Sequence, residues 1–183
     1  MRSLILLAAM SVLLSTPGQA QQDSAPPPVT ARPADVASED AIIAALYDVI
    51  SGPAGTPRDW NRMRSLFAPG ARLIPTGKRR DGSWFMLQWD IEEYIGRAGP
   101  QLEANGFFER EVARRSERFG NMVHAFSTYE SRQAEADSVP FARGINSIQL
   151  SSDGTRWWVV TILWEGERPD NPIPPKYLVS RSD

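Results

Sequence analysis

Apolar positions recur at helical spacing in three stretches of the chain. Ile42, Ile43, Leu46, Tyr47, Val49 and Ile50 mark one face of a first helix. Ser38 is suited to its N-cap, Glu39 and Asp40 favour its first turn, and Gly52-Pro53 stops it. A second helix is predicted after Thr56, with Pro57 in its first turn and Trp60, Met63, Leu66 and Phe67 as its apolar face; Pro69-Gly70 ends it. Asp90-Ile91-Glu92-Glu93 reads as a capping box, so a third helix starts at Ile91 and buries Ile91, Tyr94 and Ile95. Gly99-Pro100 is expected to kink or interrupt it.

Elsewhere the pattern changes to that of strands. Residues 72–76 and 83–88 read as two short strands joined by Lys78-Arg79-Arg80, a basic tip best read as a solvated hairpin end. Residues 107–119 form a charged, partly exposed strand, and 122–132, 141–150 and 156–165 are long strand candidates. Simple alternation puts Trp158, Val160, Ile162 and Trp164 on one face of the last strand and Trp157, Val159 and Leu163 on the other. Helices followed by long antiparallel strands predict an α+β domain, with three N-terminal helices packed on one face of a curved, mostly antiparallel sheet.

The two ends differ from this core. Arg2, an apolar run over residues 4–14, and small residues at Gly18 and Ala20 make a signal peptide over residues 1–20, too short to span a bilayer and broken by Pro17. Residues 21–37, rich in Pro, Ala and Gln, read as a disordered linker; the domain proper covers 38–167, and 168–183 is an extended Pro-rich tail able to cover part of the sheet. The expected location is therefore the periplasm or the outside of the cell, with no membrane anchor after cleavage.

Composition narrows the chemistry. Lysine and arginine number 20 against 22 acidic residues, a net charge of −2 that falls by one when Arg2 is removed, which makes a poor partner for nucleic acid. There is no cysteine and a single histidine, His124, so thiolate nucleophiles, thiolate metal sites and multi-histidine metal sites are excluded by count. Neither a metal nor another cofactor is expected.

With Ala44-Ala45-Leu46-Tyr47, the segment Ser65-Leu66-Phe67-Ala68-Pro69-Gly70-Ala71 and the closing Asp153-Gly154-Thr155-Arg156-Trp157-Trp158, the order of elements resembles the nuclear transport factor 2-like superfamily. This is the cone-shaped fold of ketosteroid isomerase and SnoaL-type cyclases, and it hosts enzymes, binders and assembly domains alike. The resemblance to ketosteroid isomerase implies a hydrogen-bonding tyrosine at Tyr47, a second donor at Asn146 and an aromatic wall at Trp164. It places Ile74 where that family carries its base, and isoleucine accepts no proton. His124 or Glu130 would have to replace it, and SnoaL-like and scytalone-dehydratase-like members do place a histidine in such a cavity.

Each of these residues also has a purely structural reading: Tyr47 as a satisfied core tyrosine, His124 as a hydrogen-bonded strand residue, Trp164 as core packing, and Asn146 as a partner to neighbouring backbone. The expected function is an exported protein whose apolar pocket, lined by Tyr47, His124, Asn146 and Trp164, holds a small apolar or aromatic molecule without turning it over. One alternative is a lyase or isomerase acting on a cyclic or polyketide-like substrate with His124 as acid or base; another is a dimeric interaction module with a filled core. A homodimer is expected through the face carrying Trp157, Val159 and Leu163. The first twenty residues predict a mature chain beginning at Gln21, or within a residue or two of it; N-terminal sequencing that finds Met1 retained on a membrane-bound product overturns this.

Overall fold

A computed structural model describes residues 29–179 and 181–182. Residues 1–20, read as a signal peptide, and residues 21–28 of the stretch read as a linker lie outside the described residues.

Helix α1, Pro33–Val36, falls in the stretch assigned to the linker. It is ordered by two contacts that composition does not reveal: Val36 is buried in the core, and Arg62 grips the Asp35 carboxylate at 2.7 and 3.0 Å. Among the described residues α1 thus adds a short turn of helix ahead of the three that the sequence marks. Helix α2, Glu39–Ile50, starts as expected, with the Ser38 hydroxyl accepting from the Ala41 amide at 3.1 Å, and buries Ile42, Ile43, Ala45, Leu46, Tyr47 and Val49. Helix α3, Trp60–Leu66, begins three residues beyond Pro57 because Asp59 caps it, accepting from the Arg62 amide. Phe67 is not helical but opens strand β1, Phe67–Lys78.

Helix α4, Ile91–Asn105, follows strand β2, Trp84–Met86, and opens with both hydrogen bonds of the capping box between Asp90 and Glu93. It runs through Pro100 without interruption. The carbonyl that meets the proline ring belongs to Gly96, and the residue before it is Gly99, so side-chain crowding around the ring is minimal. The second half is also held from outside: Glu103 accepts from the Arg58 amide at 3.0 Å and from the Trp60 indole at 2.8 Å.

Arg58 is the hub of this region. Its buried guanidinium donates to the carbonyls of Ile50, Gly52, Thr56 and Leu102, at 3.0, 2.6, 2.5 and 3.1 Å. It thus joins the end of α2, the loop after it and the far half of α4. Gly52 is needed beside it, since a Cβ there would lie 2.7 Å from the guanidinium.

Strands β3, Phe108–Phe119, β4, Met122–Arg132, β5, Ala142–Ser152, and β6, Trp157–Gly166, form the long antiparallel part of the sheet. A short strand β7, Arg181–Ser182, completes the order β2-β1-β6-β5-β4-β3-β7. Strand β1 pairs with β6 in parallel, and the helices cover the inner face.

A β-bulge in β6 corrects the face assignment. Leu150 pairs with Val159 and Gln149 with Thr161, so Val160 is the extra residue. Beyond it the alternation is re-phased: Trp157 and Val159 share the inner face with Ile162 and Trp164, while Val160 and Leu163 are exposed. The face proposed for a dimer is therefore not one surface, because Trp157 and Val159 are core.

The tail covers part of the outer face. Ile173 is buried, a 3-10 turn spans Pro175–Tyr177, Thr128 donates to the Tyr177 carbonyl at 2.6 Å, and the Phe126 and Tyr177 rings meet at 5.4 Å. Arg58→Met should cost about 3 kcal/mol in chemical denaturation, since it orphans several carbonyls at once, and Arg58→Lys should recover only part of that loss.

Candidate functional site

Between α2, α4 and the inner face of the sheet lies a cavity of about 270 Å³. Leu46, Ile50, Met63, Leu73, Ile148 and Ile162 give it apolar walls. Trp164 forms an aromatic side, with the Tyr94 ring edge-on at 6.3 Å and Trp89 at 6.4 Å.

One hydrogen-bond chain borders this space and leads away from it. The Asn146 amide donates to the Tyr47 hydroxyl at 3.1 Å, Tyr47 and Ser127 meet at 2.6 Å, and Ser127 donates to Glu111 at 2.5 Å. Since the single Ser127 proton goes to Glu111, Tyr47 must be the donor to Ser127. Glu111 also receives a two-pronged contact from Arg114, at 2.8 and 2.6 Å, and Arg114 reaches Asp40 on α2. Glu111 and Arg114 are three apart on a strand and would ordinarily face opposite ways; the bulge between Glu111 and Ala113 brings them to one side. Burial holds the Tyr47 hydroxyl well above the usual tyrosine range.

Glu109, two residues before Glu111 on the same face of β3, lines the same cavity. Ser131, its cross-strand neighbour, donates to it at 2.7 Å. Among the described residues, no arginine or lysine is bonded to its carboxylate. Burial therefore pushes its pKa up to about 7, against the weaker opposing pull of hydrogen bonds from Ser131 and Asn146. Glu109 and Tyr47 also border a larger polar groove of about 780 Å³, walled by Asp48, Arg110, Arg114 and Arg132 among others.

Comparison with protein-family models finds no match, and comparison with curated proteins finds none either. Solved structures do match. A protein of unknown function with a cystatin-like fold from Nostoc punctiforme is 12% identical, with a TM-score of 0.51 over 73% of this chain and 90% of that one. A protein from Kribbella flavida gives 7% identity and a TM-score of 0.50 over 69% and 86%. A nuclear transport factor 2-like protein of unknown function from Silicibacter pomeroyi gives 14% and 0.47 over 72% and 94%. The chain shares the α+β fold of the first two, the first of which is described as cystatin-like. At these identities the likeness concerns fold and leaves activity to the side chains.

Within that fold the structure brings together Tyr47, Asn146 and Trp164, as expected, and leaves His124 out. The inward positions of β4 are Val123, Ala125, Ser127, Tyr129 and Ser131, so His124 faces outward, 2.9 Å from the Ser147 hydroxyl and edge-on to Phe126. Glu130 shares that outer face and is ion-paired with Arg110 and Arg132. Ile74 also points outward beside Leu163, and Leu73 lines the cavity instead. Tyr47 donates to Ser127 rather than offering its proton to a ligand.

Glu109 is the residue that sequence reasoning missed. Residues 107–119 are rich in Glu and Arg and read as solvated; the one local signal is the pair Phe107-Phe108 just before it. Its inward aim follows from the pairing with Ser131, a long-range fact. Among the described residues, no group of three or more His, Cys, Asp or Glu side chains is placed to hold a metal ion.

The elevated pKa of Glu109 makes stability depend on pH. Between its ordinary value of 4.5 and its folded value of about 7 the folded state holds the extra proton. The resulting stabilisation is complete below about pH 4.5, declines as pH rises through 7 and is lost above it. Glu109→Gln does not titrate, so its stability relative to wild type should rise between pH 5 and pH 8, by on the order of 3 kcal/mol at most. Thermal unfolding of the two proteins across that range checks this; a difference that stays flat would show Glu109 to be an ordinary carboxylate.

Proposed function

We propose that the cavity binds a small ring molecule and that Glu109 moves a proton on it, as a cofactor-independent isomerase or lyase. The observation that carries this reading is a carboxyl poised near neutrality inside an otherwise largely apolar cavity. The expectation of binding without turnover rested on the want of a base at Ile74, and Glu109 supplies one from a different strand. An open cavity of about 270 Å³ also counts against a filled-core interaction module. Residues 1–20 would deliver this activity outside the cytoplasm.

The simplest step is proton removal beside a carbonyl. The Glu109 carboxylate takes the proton, the C–H electron pair becomes a carbon–carbon π bond, and the carbonyl π pair moves to oxygen. The carboxylic acid then returns its proton at another carbon, so the enzyme ends unchanged. Trp164 and the aliphatic walls orient the ring and exclude water.

Deuterium incorporation into a panel of fused-ring ketones, 2-tetralone among them, measured by NMR in D₂O, tests the reading. Wild type should accelerate exchange with a pH dependence that rises through about 7. Glu109→Gln should lose about 10² to 10⁴-fold of that rate. A Glu109→Gln protein as active as wild type overturns the assignment.

A further inference from the structure

Three tyrosines line the inner cavity, and their hydroxyls are not equivalent. The Tyr47 proton is committed to Ser127. The hydroxyls of Tyr94 and Tyr129 have no hydrogen-bond partner among the described residues. Tyr129 is only 6% exposed, yet its oxygen is not among the fully buried unpartnered atoms, so the hydroxyl keeps access to the cavity that the residue lines and is free to donate there.

The strand opposite Tyr129 is shaped around that hydroxyl. Gly144 on β5 is its direct cross-strand partner and has the same parity as Asn146 and Ile148, which line the cavity. A Cβ at Gly144 would point inward and sit 2.4 Å from the Tyr129 oxygen, with the next strand's Glu165 carbonyl equally close. A glycine in a strand interior weakens the strand and commonly marks a close approach; here the group that approaches is a phenol. Burial, with the Glu109 carboxyl as a second contributor, holds both free tyrosines above the usual range, so they remain protonated donors at neutral pH.

We infer that Tyr129, cradled over Gly144, is the anchor that donates a hydrogen bond to an oxygen of the ligand, with Tyr94 as a second donor in the same cavity. The ligand class is accordingly a small ring compound bearing a carbonyl or other acceptor oxygen, and not a plain hydrocarbon. This rests on the reading of the cavity as a ligand site, and it moves the donor role that the family resemblance assigned to Tyr47 onto the sheet.

The test is the affinity ratio of the full chain for 2-tetralone and tetralin, which differ by one carbonyl, measured by calorimetry at pH 8, where Glu109 is mostly ionised and cannot donate. Wild type should prefer 2-tetralone by about tenfold, the worth of one good neutral hydrogen bond. Tyr129→Phe should abolish most of that preference while leaving tetralin affinity unchanged. Gly144→Ala should reduce it too, by displacing the hydroxyl, and serves as the second variant should one fold poorly. His124→Ala, on the outer face of the sheet, should keep the ratio. Equal affinities in wild type, or an undiminished preference in Tyr129→Phe, overturn the anchor while the Glu109 exchange test stands on its own. Failure of wild type to bind either probe overturns the anchor and the ligand-site reading together.

Discussion

The chain of hydrogen bonds from Asn146 through Tyr47 and Ser127 to Glu111 and Arg114 ties one helix to three neighbouring strands. It sets how close α2 can come to the sheet, and so it decides that a cavity remains beside it. It also separates two carboxyls that share one face of β3. Glu111 receives an arginine and a hydroxyl, whereas Glu109 receives only neutral donors and is pushed up to about 7. Two similar residues, two positions apart, are thereby given different chemistry by their neighbours.

Much of the fold was legible because its signals are local. The Ser38 cap, the Asp90 capping box and the long strands β3 to β6 each announce themselves within a dozen residues. What was not legible depends on partners far along the chain. Pro100 is tolerated because Glu103 and Arg58 hold the helix beyond it, and α1 is ordered by Arg62. The site follows the same division. Tyr47, Asn146 and Trp164 converge as the family resemblance implied, but His124 and Ile74 point to the other face. A single extra residue at Val160 reversed the faces of half of β6, and alternation alone contains no sign of it.

The position of the proposed acid-base group illustrates how loosely this fold constrains chemistry. The first strand carries Ile74 where the resemblance implies a base, and a carboxyl, Glu109, sits instead on the third strand and lines the cavity. Any inward position around the cavity rim can serve, provided that burial and neutral hydrogen bonds leave the group near neutrality. The cavity's volume and its aromatic side come from the fold; its reactivity comes from which inward positions carry titratable groups.

The pairing of β1 with β6 has a consequence for how the molecule is made. Phe67 lies beside Val159 across about 90 residues of intervening chain, and the tail that seals the outer face comes later still. The sheet cannot close until β6 is available to pair with β1. Before that moment β1 has only the short β2 hairpin as company, and the inner wall stands open. Closure of the sheet is thus a late event in folding, and loss of β6 would leave β1 with no long strand to pair with.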